Sequence, residues 1–302
     1  KWRKFGISYD YWCEKVEENG SLFGVVKTAH RSKLGDVQKM SYQMVNSLDE
    51  QIMPDVCDES LAYINRLKTD DDFFLEYLQK NANFSNDFDV LVDLCRWNND
   101  FPQSSYFRER KRKIIMSYVI NFKAGKVIQN ADNLVLVGSP YAMLLYATCG
   151  NPEIVYQDPT FEVEDGAIQC YTTRFEDDEY LAEFRSPFNG KNNLGHLHNV
   201  YSDEMQRYFK FCPEILAVNT IKTDFESRNN GSDFDSDSCY TTNQPQIVDW
   251  AKYCYKNYPT IENNIPKDTR TYERTMDDYA AIDNKLAASQ LDIRLHIWRA
   301  NS

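Results

Sequence analysis

The stretch "RNNGSDFDSDSCYTTN", Arg228 to Asn243, sets Asp233, Asp235 and Asp237 at alternate positions behind a glycine and directly ahead of a run with strand character. Two carboxylates about 4 Å apart repel by roughly 1 kcal/mol in water and by several times that near a protein surface. A chain that places three together needs something to offset them. In an extended segment, residues i, i+2 and i+4 project from one face; in a tight loop after Gly231 the same three would converge. Either geometry suits a hard cation such as magnesium, which takes oxygen ligands at about 2.0–2.1 Å and keeps positions open for water and phosphate.

Two other aspartate motifs share part of this pattern. An EF-hand calcium loop requires glycine at its sixth position and glutamate at its twelfth. Counted from Asp233, those places hold Ser238 and Gln244, so that template fails. A dehalogenase-type phosphatase motif ends in Thr or Val, where this chain has Asp237. On spacing alone, an acidic surface turn stands beside the metal site as an equal alternative.

Outward from this loop, the 302 residues leave room for about two domains. A net charge of −12 disfavours indiscriminate binding to a polyanion but leaves space for a local basic groove. Eight cysteines are scattered singly, without a C-x-x-C pair, which points to a reduced, cytoplasmic chain. No stretch approaches the roughly 20 apolar residues of a membrane span, so no membrane partner is expected. The chain starts at Lys1 with no secretion signal, as a segment taken from mid-protein would.

The local grammar changes twice. "SLFGVVKTAH", Ser21 to His30, reads as a strand. From Asp36 to about Phe122, "VQKMSYQMVNSL", "ESLAYINRL", "DFFLEYL" and "DFDVLVDLCRW" carry the apolar spacing of helices. The last helix of this region holds the basic run "RERKRK", Arg108 to Lys113, read as a solvated face in preference to a nucleic-acid contact. After Gly125, "NLVLVG", "EIVYQD", "AIQCYTTRF", "YLAEFRSP", "EILAVNT" and "SCYTTN" are predicted strands separated by turn residues. Helices are predicted from Ser139-Pro140, from Ser202 and beyond Gln246.

The loop "NGSDFDSDS" resembles the D-x-D-G-D loop of the two-barrel RNA polymerases, the superfamily that joins multisubunit RNA polymerases, RNA-silencing RNA-dependent polymerases and phage-like single-chain relatives. Ser236 stands where most members have glycine. The flanking order of "NLVLVGSPYAMLL", "EFRSPFNGKNN", "HNVY" and "EILAVNTIKTDFES" is similar to the same family's second barrel, and "FGVVKTAHRSKLG" followed by "SYQM" resembles the close of its first. The resemblance implies an α+β fold. Residues 1–46 would be the C-terminal part of a first double-psi β-barrel and 47–125 a helical connector. Residues 126–247 would form the second, catalytic double-psi β-barrel and 248–302 a C-terminal helical segment.

By the same resemblance the chain would be a nucleotidyltransferase, a template-dependent RNA polymerase working in a bacterial or phage-infected cell. Its partners would be a nucleic-acid template, the RNA product and nucleoside triphosphates. Asp233, Asp235 and Asp237 would hold Mg2+, with Mn2+ as a substitute. Lys27 and Lys33 would serve catalysis, and Arg185 and Arg228 would bind substrate; Arg228 is equally read as a structural ion-pair partner. With only the end of a first barrel, this piece alone is expected to be inactive. The rival expectation is a non-catalytic, nucleic-acid-associated barrel whose acidic loop holds a structural cation. His196 and His198, two apart, are read as ordinary strand histidines over a zinc pair, and Cys239 as a small buried residue over a nucleophile.

Overall fold

The computed structural model describes residue 6 and residues 8–22, 31–32, 34–261 and 275–285, in two units, 1–262 and 263–302. Lys27, Lys33 and most of the strand expected over residues 21–30 lie outside the described residues. In the second unit, residues 276–285 are helical.

Eight strands are described in the first unit: β1 (Val37–Lys39), β2 (Ile128–Val137), β3 (Val163–Glu164), β4 (Ala167–Tyr171), β5 (Tyr180–Arg185), β6 (Gly195–Asn199), β7 (Ile215–Val218) and β8 (Ser238–Thr242). β2 is long enough to serve three neighbours. Its start pairs antiparallel with β1, its middle antiparallel with β8 and its end parallel with β7. From β7 the ladder passes antiparallel to β4, then parallel to β6, then antiparallel through β5 back to β8. Six strands thus close on themselves as β2-β7-β4-β6-β5-β8, with β3 as a hairpin against β4. Closure leaves these strands without a free edge and gives the expected double-psi β-barrel fold.

Strand alternation decides what fills the barrel. Leu134 and Leu136 of β2, Cys170 of β4, Leu181 of β5, Leu197 of β6 and Leu216 of β7 meet in one buried cluster. The opposite faces of β5 and β8, carrying Ala182, Phe184 and Tyr240, are buried under a helical layer instead. In chain order the helices are α1 (Tyr9–Glu18), α2 (Tyr42–Asn46), α3 (Met53–Thr69), α4 (Asp71–Asn81), α5 (Phe88–Trp97), α6 (Ser105–Lys123), α7 (Pro140–Cys149), α8 (Asp203–Tyr208), α9 (Phe225–Arg228) and α10 (Pro245–Asn257). Met44 of α2, Val56 of α3 and Ile247, Ala251 and Cys254 of α10 supply that layer. The helices α3 to α6 enclose a core of their own around Phe74, Leu91, Phe107 and Tyr118.

Two elements differ from the sequence expectation. "EIVYQD" is a 3-10 helix, Pro152–Gln157, not a strand. The Asn151 side chain accepts from the Glu153 N–H and Pro152 opens the turn, and together these outweigh the β-branched Ile and Val. "VQKMSYQMVNSL" opens as strand β1 and turns helical only at Tyr42, after Ser41 caps α2. The expected basic run does lie on α6, and three of its five cations are ion-paired. Arg110 pairs with Asp87, Lys111 with Asp71 and Lys113 with Glu109.

Candidate metal centre

The aspartates lie in the turn between α9 and β8, at one mouth of the barrel. The chain enters through two residues with positive φ, Asn230 at 55° and Gly231 at 70°, and leaves through Ser236 at 103°. These turns bring the alternating aspartates together, and one carboxylate oxygen from each of Asp233, Asp235 and Asp237 lies within 4.8 Å of the others. The convergent loop geometry therefore holds, not the extended one. Asp233 and Asp235 are exposed and Asp237 is half-buried.

Five contacts hold the turn. The Asp237 carbonyl accepts from the Leu136 N–H at 2.8 Å, which ties the loop to β2. The Asp237 Oδ2 accepts from the Asp233 N–H at 3.2 Å and from Arg185 Nη2 at 2.6 Å. Arg185 Nη1 also donates to the Asn229 carbonyl at 2.8 Å, so one guanidinium spans both ends of the loop. Phe234, between two of the aspartates, packs over Gly138 at the end of β2; a β-carbon there would meet its ring at 3.2 Å.

Inside the mouth, Leu181, Glu183 and Arg185 share one face of β5. Glu183 is fully buried and faces Gly195 of β6, where a β-carbon would come within 2.5 Å of its carboxylate. Burial pushes the Glu183 carboxyl up to about 7, against the opposing hydrogen bonds of Asn229 and Cys239 and the charges of Arg185 and Arg228. Asn229 Nδ2 donates to it at 3.2 Å, and Asn229 in turn gives its carbonyl to Arg185. Sequence reading passed over Glu183. The available signal was a lone carboxylate in phase with the inward residues of the apolar strand "YLAEFR".

The loop electrostatics match its geometry. The charge of Asp235 comes first in holding the Asp233 carboxyl above its ordinary value, followed by desolvation, a hydrogen bond with Asp235 and the charge of Asp237. A cation removes that repulsion. Around an octahedral magnesium, ligand oxygens stand about 2.9 Å apart when adjacent and about 4.1 Å when opposite. Three hard oxygen donors already within 4.8 Å fit that ion with a small closure of the loop.

The other singled-out residues are placed differently. Arg228 is 4% exposed; it donates to the Asn192 carbonyl at 2.9 Å, lies 3.4 Å from Asp224 and stacks on Tyr255, the setting of a structural ion-pair partner. Arg185 directs both terminal nitrogens at the loop itself. Cys239 is buried in the barrel, and burial raises its thiol well above the ordinary value. His196 Nδ1 lies 2.7 Å from the Gly166 carbonyl. His198 lies between Glu164 at 2.7 Å and Asp178 at 2.9 Å, with Tyr180 stacked on its ring.

Two expectations follow locally. Backbone at φ 103° is territory that side chains rarely enter. Ser236→Gly should therefore stabilise the chain by about 1 kcal/mol and leave metal affinity unchanged, read by urea denaturation and metal titration. At His198, burial disfavours the charged ring, but the bonds to Glu164 and Asp178 outweigh it and raise its pKa above 6.5. The resulting stabilisation is fully present below 6.5 and is lost as pH rises through the raised value. His198→Gln should flatten that part of the stability-pH curve, measured by denaturation at stepped pH.

No protein-family model matches the chain, and no curated protein matches it by sequence. Among solved structures, the fold is similar to the RNA-dependent RNA polymerase QDE-1 from Thielavia terrestris, with a TM-score of 0.51 at 11% identity over 77% of this chain. The chain spans 26% of the length of that polymerase chain. At this identity the likeness is one of fold. Among the described residues, no helix is long and apolar enough to cross a membrane.

Proposed function

We propose that the chain carries the magnesium-holding barrel of a template-dependent RNA polymerase of the two-barrel class, a nucleotidyltransferase acting on nucleoside triphosphates, a nucleic-acid template and an RNA 3′ end. The observation that carries this is the convergence of Asp233, Asp235 and Asp237 at the mouth of a double-psi barrel. Magnesium there, or manganese in its place, would lower the pKa of the attacking hydroxyl and orient the triphosphate.

The protein residues divide the remaining work. The three carboxylates bind and orient the ion. Arg185 anchors Asp237 and the Asn229 carbonyl, and so holds the loop in its converged form before the ion arrives. Leu136 fixes the loop exit to the barrel wall, and Phe234 pins its middle on Gly138. Lys27, with Lys33, is assigned to charge neutralisation at the phosphates. Arg228 supports the scaffold behind the loop.

A non-catalytic barrel with a structural cation would hold metal without regard to nucleotide. The discriminating experiment is proton relaxation enhancement of bound Mn2+ with and without a nucleoside triphosphate. A polymerase site should form a ternary complex with enhancement distinct from that of either binary complex. A response identical to the sum of the binary complexes would favour the structural-cation barrel and overturn the polymerase reading.

A further inference from the structure

A cavity of about 690 Å³ runs beside α6, on the helical layer. Its apolar lining is formed by Ile115, Met116, Val119 and Pro102. Met116 is 54% exposed and Ile120, one turn on, 60%, so an apolar stripe on α6 lies open. The rim is cationic, with Lys68, Arg108, Arg112 and Lys123.

In a chain of net charge −12 this rim is unusual, and its charge is available. The one carboxylate that lines the cavity, Asp71, is already paired with Lys111. Arg108 donates to the neutral Gln103. Among the described residues, no carboxylate lies within ion-pair distance of Lys68, Arg112 or Lys123. From Arg108 to Lys123 the helix rises about 22 Å, or about four turns.

We propose that this groove docks an acidic amphipathic helix of a partner protein. The apolar lining and the open Met116–Ile120 stripe would take the partner's apolar residues at i, i+4 and i+7, and the four cations would face its carboxylates. Nucleic acid fits less well, because single strands bind by stacking bases on aromatic faces, and the one aromatic ring lining the cavity, Phe107, is 1% exposed. The inference does not depend on the polymerase reading.

The test is fluorescence anisotropy on the whole chain with three labelled probes. These are a helical peptide of about 15 residues with Leu in heptad spacing and Glu elsewhere, a scrambled peptide of the same composition, and an oligouridine RNA of about 15 nucleotides. The heptad peptide should bind saturably and more tightly than the other two. Arg112→Glu with Lys123→Glu, and separately Met116→Asp, should each weaken it about tenfold or more. Lys252→Glu with Lys256→Glu on α10 changes net charge equally and should leave it within about twofold. Circular dichroism melts confirm that each variant is folded. Absence of saturable peptide binding, tighter binding of the RNA, or equal loss in the α6 and α10 charge reversals would overturn the proposal.

Discussion

Asp235→Asn should weaken Mn2+ binding about 100-fold or more while leaving the fold at least as stable as before. Loss of a partner that merely orients a metal ligand costs about 10–100-fold in affinity, so removal of a ligand should cost no less. Asp235 is exposed, and its charge is the chief cause of the raised Asp233 carboxyl. Its neutralisation therefore relieves repulsion in the empty loop. An acidic surface turn would show the same stability effect with no loss of metal affinity. Electron paramagnetic resonance of free Mn2+ and urea denaturation on the same samples separate the two.

Glu183→Gln should stabilise the chain by roughly 3 kcal/mol at pH 8 and by little below pH 4.5. The carboxyl ordinarily titrates near 4.5 and in the barrel near 7. Because the folded value is raised, its favourable contribution is complete below 4.5 and is lost as pH rises through about 7. About 1.4 kcal/mol per unit over that interval gives the figure. The structure also supports the direction, since Glu183 Oε1 and Asn229 Oδ1 are both buried without a hydrogen-bond partner. A protonated carboxyl or a glutamine amide brings a donor into that pocket, and an ionised carboxylate brings none. Denaturation of both proteins between pH 4 and 8.5 checks this; parallel curves would show that Glu183 titrates normally.

The barrel strands were largely legible because they are short apolar and β-branched runs, buried on both faces, between turns rich in Gly, Asn and Asp. The three aspartates were legible from their alternate spacing behind Gly231. Their convergence was not. It depends on the positive φ of Asn230 and Ser236 and on Arg185, which reaches Asp237 across 52 residues of chain. Neither a backbone angle at a serine nor a contact of that separation leaves a local pattern. The misread segment 152–157 shows the converse, since Ile154, Val155 and Tyr156 have strand propensity that the Asn151 cap and Pro152 override. Glu183 was missed because burial of a carboxylate is decided by the glycine facing it from β6, not by its neighbours in sequence.

The most direct test of the metal centre is anomalous diffraction from crystals of the chain soaked in MnCl2. The expected result is a single strong peak at about 2.0–2.3 Å from a carboxylate oxygen of each of Asp233, Asp235 and Asp237, with the Arg185 bond to Asp237 intact. No peak at the barrel mouth, or manganese held by other carboxylates while these three remain splayed toward solvent, would contradict it.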